Sequence, residues 1–140
     1  MNVAEKQLVE ALRSGKYRQT TYALHQNDAY CCLGVACDIS NLDEWYEQLD
    51  EDGNSQFVYD GSSPLFLPGI VSKWLHWKSN RGLTFIPCKS GTGYYSLDTL
   101  NDSDFTFDQI SDIISANLVQ HISDDPWSLP RIGFLLWEEE

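Results

Sequence analysis

Basic residues are scarce in this chain. Nine lysines and arginines stand against 21 aspartates and glutamates over 140 residues, a formal charge of −12 at pH 7. A body of that sign repels phosphate backbones, which excludes broad, direct binding to nucleic acid. Long apolar runs are missing as well, none approaching the roughly 18 residues that a membrane span needs. The first residues, Met-Asn-Val-Ala-Glu-Lys, put no apolar stretch behind a basic head, so neither a secretory signal nor a membrane partner is expected. Both absences lead to the expectation of a reducing cytoplasm, where disulfides are rare. Internal repeats and low-complexity tracts are absent too, and 140 residues suffice for one compact domain but not for two ordinary ones.

What charge there is, is unevenly spread. Residues 38–60 carry Asp38, Asp43, Glu44, Glu47, Asp50, Glu51, Asp52 and Asp60 without a lysine or arginine. Residues 98–125 repeat the pattern with Asp98, Asp102, Asp104, Asp108, Asp112, Asp124 and Asp125. The cations sit in two other clusters, Lys6/Arg13/Lys16/Arg18 and Lys73/Lys78/Arg81/Lys89. A local cationic pocket on an acidic body is therefore compatible with the sequence, although solvated acidic loops that keep the chain soluble explain each run alone.

Periodicity predicts about four helices and several short strands. Val3, Leu8, Ala11 and Leu12 suit a helix over residues 3–14, stopped at Gly15. Residues 19–25 have strand character and end in the Asn27-Asp28 turn, where Asp28 can cap a second helix starting near Tyr30. In that helix Cys32, Val35, Ala36 and Ile39 form a buried stripe, followed by a segment at 43–49 with helical character. Residues 57–59 read as a strand, and Pro68 suits the first position of a third helix. Strands at 83–86 and 93–97 flank a turn at Lys89-Ser90-Gly91. Thr106 and Gln109 form a capping box, with Phe105 and Ile110 at hydrophobic-staple spacing, for a last helix running to about His121. Connections this short preclude several parallel crossovers, so the expected fold is α+β with a small antiparallel sheet. The domain spans residues 1–121 with an acidic insert at 43–60. The tail, 122–140, is too apolar to hang free and is expected to dock on the domain or on a partner.

Three cysteines crowd the stretch "HQNDAYCCLGVACDIS", residues 25–40. Structural zinc sites use paired C-x2–4-C ligands, whereas adjacent Cys31 and Cys32 diverge by about 100° on a helix, and no second pair exists. No metal and no other cofactor is expected. A thiol at a helix N-terminus gains thiolate character, so Cys31 or Cys32 with His76 or His121 as base is a candidate hydrolase pairing. The alternative is packing: Cys32 and Cys37 act as small hydrophobes, and Gly34 lets a neighbouring element approach closely. Packing needs the fewest coincidences.

Three segments in order carry a resemblance: "ALRSGKYRQ" (11–19), "YCCLGVACD" (30–38) and "LNDSDFTFDQISDII" (100–114), with "LPGIVSKWL" (67–75) between them. Together they resemble a family of small accessory proteins of tailed bacteriophages and prophages, over about residues 8–118. The resemblance implies a setting, the host-cell cytoplasm and the disarming of host defence, rather than a chemistry. Within that setting the first expectation is a non-enzymatic protein that sequesters a small nucleotide-type immune signal. Arg13, Lys16 and Arg18 would meet phosphate, Tyr17 and Tyr22 would stack on a base, and Asn101 and Asp102 would read ribose or a base edge. Each has a plainer role in helix capping or loop hydrogen bonding, and only convergence on one pocket would set that aside. The second expectation is an acidic decoy that binds a nucleic-acid-handling host defence protein. The third is the cysteine hydrolase. Self-association is compatible with all three.

Overall fold

The computed structural model describes residues 1–60, 63–88 and 91–122. Helix α1, Val3–Arg13, is started by Asn2, whose side chain accepts the Glu5 N–H at 2.8 Å while the Glu5 carboxylate accepts the Asn2 N–H at 3.1 Å. This reciprocal cap is an Asn-x-x-Glu version of the capping box and was not evident from the apolar periodicity. Gly15 follows with a φ of +76°, the left-handed conformation that ends helices.

Residues 19–25 form less strand than expected. Gln19 makes a single parallel bridge to Tyr30, and only β1, His25–Gln26, pairs regularly, through the tight Asn27-Asp28 turn, with β2, Ala29–Tyr30. Both turn residues have positive φ, which asparagine and aspartate tolerate. Because β2 intervenes, Asp28 does not cap the second helix. Helix α2, Cys32–Ser40, is capped by the Cys31 thiol and ends at Asn41 in the left-handed region.

The segment at 43–49 is not helical. Trp45–Leu49 is strand β3, paired antiparallel with β4, Ser55–Tyr59, so the acidic insert is a β-hairpin. Aromatic Trp45 and Tyr46 favour the extended form. The turn closes through Asp50, whose Oδ1 accepts the N–H groups of Asp52 and Asn54, with Gly53 at φ +81°. The resulting antiparallel sheet has the order β2-β1-β4-β3, which leaves β3 on an edge. At its centre His25 stacks between Tyr30 and Phe57, at 4.0 and 4.5 Å between ring centres.

Helix α3, Gly69–Trp74, begins one residue later than expected, with Pro68 as its cap rather than its first residue. Strands β5, Leu83–Cys88, and β6, Gly91–Ser96, form the second antiparallel pair. Helix α4, Leu97–Asp102, follows β6 directly and had no signal beyond the apolar pair Leu97 and Leu100, both buried. Helix α5, Phe107–Ser115, has the expected Thr106–Gln109 capping box and a buried Ile110. It stops short of His121 because Asn117 turns left-handed (φ 61°), and the chain returns as bridges from Val119 to Thr84 and His121 to Trp77.

The described residues thus form an α+β fold with five helices, a four-stranded antiparallel sheet and a two-stranded one. Its core is shared by α1 (Leu8, Leu12), α2 (Leu33, Val35, Cys37) and α5 (Ile110, Ile113, Ile114), with Leu75 and Trp77 closing one side. Among the described residues no helix is long and apolar enough to cross a membrane. The tail expected to dock, from residue 123 onward, lies outside the described residues.

Candidate functional site

The cysteine segment is organised by close packing. The Cys31 Sγ accepts the Gly34 N–H at 3.4 Å, and the Cys31 N–H donates to the Leu24 carbonyl at 3.1 Å. Gly34 lies so near that a Cβ built on it would sit 1.8 Å from the Leu24 oxygen. Cys32 donates its N–H to Asn101 Oδ1 and its S–H to the Leu97 carbonyl. Burial pushes the Cys31 thiol up to about 12, against which the Gly34 and Leu33 amides act only partly, and it raises Cys32 and Cys37 as well. These thiols are protonated near neutrality, the opposite of an activated nucleophile. The Cys88 side chain lies outside the described residues.

The histidines have other work. His121 Nε2 and the Trp77 indole N–H both reach Glu5 Oε2, at 2.9 and 3.0 Å, while exposed His76 accepts the Ile122 N–H through its backbone oxygen. Neither Cys31 nor Cys32 is paired with His76 or His121 in these contacts. Among the described residues no group of three or more His, Cys, Asp or Glu side chains is arranged to hold a metal ion.

The residues expected to hold a nucleotide are dispersed and mostly occupied. Arg13 donates to Ser111 Oγ at 2.8 Å and to Asp112 Oδ1 at 2.7 Å, tying α1 to α5. Arg18 donates to the Asn27 carbonyl. The Tyr17 hydroxyl donates to Asp38 Oδ2 at 2.5 Å, and the Trp45 indole donates to Asp38 Oδ1 at 3.1 Å. Burial and then the Asp38 bond raise the Tyr17 hydroxyl far above the usual tyrosine range. Asn101 is 1 % exposed and fully engaged: its Oδ1 accepts from Gln19 and Cys32, and its amide donates to the Thr20 carbonyl. Lys16 and Tyr17 line a shallow cleft with Glu10 and Ile39, away from Arg13's partners.

Tyr22 and Asp102 do meet. They line a cleft of about 210 Å³ with Ala23, Cys31, Leu65 and Phe66, closed by Arg81 and Asp98. Asp102 Oδ1 accepts the Tyr22 N–H at 2.9 Å, across 80 residues of sequence. Arg81 belonged to one of the two basic clusters and Asp98 to the second acidic run; Leu65 and Phe66 gave no local signal.

The third feature is the β3–β4 hairpin. Along β3 only Trp45 is partly covered; Tyr46, Glu47, Gln48 and Leu49 are exposed on both faces, as are Glu51 and Asp52 beyond them. At its base Asp43 is held low by the Glu44 amide, and the neighbouring Asp60, hydrogen-bonded to Asp43, is raised.

These features define an α+β domain with shallow clefts and a projecting acidic hairpin. Residues 1–118 match the family model of a domain of unknown function, DUF8296, and the chain belongs to that family. A search of curated proteins gives no match, and neither does a search of solved structures.

Proposed function

We propose that the chain is a non-enzymatic binding protein whose acidic hairpin engages a positively charged, nucleic-acid-handling surface of another protein. In the phage setting that the three motif segments suggest, that protein belongs to host defence. The observation that carries this reading is β3: an edge strand exposed on both faces, in a stretch from 38 to 60 that holds eight carboxylates and no cation. An edge strand offers unpaired main-chain groups. Tyr46 and Leu49, 50 % and 65 % exposed, add apolar contact, and the carboxylates add steering toward a basic partner.

Sequestration of a nucleotide signal has less support. Of its cations, Arg13 and Arg18 already bind protein oxygens, and an anion would approach a body of net charge −12. A hydrolase would need a thiolate that burial disfavours at Cys31.

The test uses an arginine-rich peptide as probe, titrated by calorimetry between about 50 and 200 mM salt, the range in which screening tightens around exposed charges. Asp50→Asn, Glu51→Gln and Asp52→Asn together remove three charges, while the side-chain amide introduced at position 50 keeps the turn's acceptor oxygen. A control triple, Glu10→Gln, Asp104→Asn and Asp108→Asn, removes three exposed charges elsewhere. The hairpin triple is expected to lose at least tenfold more affinity than the control. Equal losses would reduce the hairpin to a share of diffuse charge and overturn the reading.

A further inference from the structure

We propose that the cleft between Tyr22, Phe66 and Asp102 is a binding site for an organic cation headgroup, a guanidinium or primary ammonium, free or at the end of a partner's side chain. The cleft is built by three distant parts of the chain: Tyr22 before β1, Phe66 before α3, and the α4 residues Asp98 and Asp102, with Arg81 at its edge. Size limits the occupant first. About 210 Å³ lies below the ~300–1,000 Å³ of sites for drug-sized ligands, which leaves room for one side chain or a molecule of similar bulk.

Charge decides its sign. Among the described residues Arg81 is the only cation lining the cleft, and it is paired: Nε reaches both Asp98 oxygens at 2.9 and 3.2 Å, and a terminal nitrogen reaches Thr99 Oγ1 at 3.0 Å. Its guanidinium already lies 5.3 Å from the centre of the Phe66 ring. Asp102 is left over. One oxygen accepts the Tyr22 and Asn101 N–H groups, and among the described residues no lysine or arginine pairs with it. The lining therefore carries one uncompensated negative charge, beside a tyrosine that is 71 % exposed. A carboxylate next to an aromatic face suits a cation, through a charge-assisted hydrogen bond and the ring quadrupole together. The same lining repels phosphate, so Tyr22 and Asp102 serve the opposite ligand from the nucleotide first expected of them.

The test is an amide-shift titration of the full chain with agmatine, with adenosine monophosphate as the anionic counterpart. Agmatine is expected to shift the Tyr22 and Ala23 amides and the monophosphate to leave them in place. Asp102→Asn keeps the oxygen that accepts the Tyr22 N–H and removes only the charge; it should weaken agmatine at least tenfold. If that variant is poorly folded, Tyr22→Ala removes only the exposed ring and should weaken agmatine about threefold or more. Binding of a capped Gly-Arg-Gly peptide as well as agmatine assigns the site to a partner's side chain, and agmatine alone assigns it to a free cation. The hairpin triple variant should bind agmatine as the wild type does, so this site and the hairpin reading fail separately. Shifts with the monophosphate but not with agmatine, or unchanged agmatine affinity in Asp102→Asn, would overturn the proposal.

Discussion

Replacing Gly34 by alanine tests how the cysteine segment is held. The added methyl would sit 1.8 Å from the Leu24 oxygen, 2.7 Å from its carbonyl carbon and 3.2 Å from its Cα. Carbon and oxygen pack at about 3.3–3.6 Å even in favourable C–H···O contacts, so the backbones would have to part by well over an ångström. Leu24 is poorly able to yield: its N–H donates to Pro64, its oxygen accepts from Cys31, and its side chain is fully buried. Separation therefore breaks the Cys31–Leu24 bond and strands a buried amide, about 1–3 kcal/mol, on top of about 1–3 kcal/mol for overpacking. Alanine returns at most about 1 kcal/mol through its better helix propensity. The net loss is expected at about 1–6 kcal/mol, against the ~5–15 kcal/mol that stabilises a typical domain. Urea denaturation checks it, with Gly69→Ala as the control, because nothing lies within 4 Å of a Cβ there. A Gly34→Ala midpoint within about 0.5 kcal/mol of wild type, at unchanged slope, would refute the argument.

Glu5→Ala should cost about 3–5 kcal/mol, since it removes the acceptor shared by the Trp77 indole and His121 in a site where Glu5 is 1 % exposed; Glu5→Gln should cost less, and an unchanged urea midpoint for Glu5→Ala would deny the anchor. Iodoacetamide at pH 8 should label Cys31, Cys32 and Cys37 rapidly only after unfolding, as mass spectrometry of the peptides would show; native labelling of Cys31 at the rate of a free thiol would instead revive the nucleophile. The same burial sets a pH dependence. With the folded Cys31 thiol raised from 9.0 to about 12, the unfolded chain loses its proton first, so stability is intact below pH 9 and falls above it, by up to about 1.4 kcal/mol per pH unit for each such thiol. Equal denaturant midpoints at pH 8 and pH 10 would contradict the burial.

The sequence was most legible where local chemistry decides structure. The Thr106–Gln109 box and the apolar face of α1 depend on neighbours a few residues apart and formed as expected. So did the pairing of the strands expected at 83–86 and 93–97, which run over Leu83–Cys88 and Gly91–Ser96, while Lys89 and Ser90 of the expected turn lie outside the described residues. Misreadings came where distant contacts override propensity. Trp45–Leu49 became a strand because β4 pairs with it along its whole length and Asp38 holds the Trp45 indole. Cys31 displaced Asp28 as a cap because Ala29 and Tyr30 were drawn into the sheet. The cleft was the least legible part, since Tyr22, Phe66, Arg81 and Asp102 share no spacing.

The motif segments explain why a search for function among the most distinctive residues finds structure. Tyr17 in the first segment binds Asp38 in the second; Gln19 in the first binds Asn101 in the third; and Asn101 in turn accepts the Cys32 N–H in the second. Gly34 lies against Leu24 so closely that only hydrogen fits. The three segments are therefore bound to one another, and their hydrogen-bonding capacity is largely used up inside the fold. Such a buried, satisfied network fixes one arrangement of α2, α4 and the segment that follows α1, and leaves little chemistry for a ligand. The recognition we propose therefore rests on groups the network leaves over. Asp102 is one, adjacent in sequence to Asn101 yet turned to the cleft, and the hairpin is the other, anchored through Asp38 but projecting beyond it. In the proposed reading the motif segments build the frame, and the groups offered to a partner lie outside those segments or at their margin.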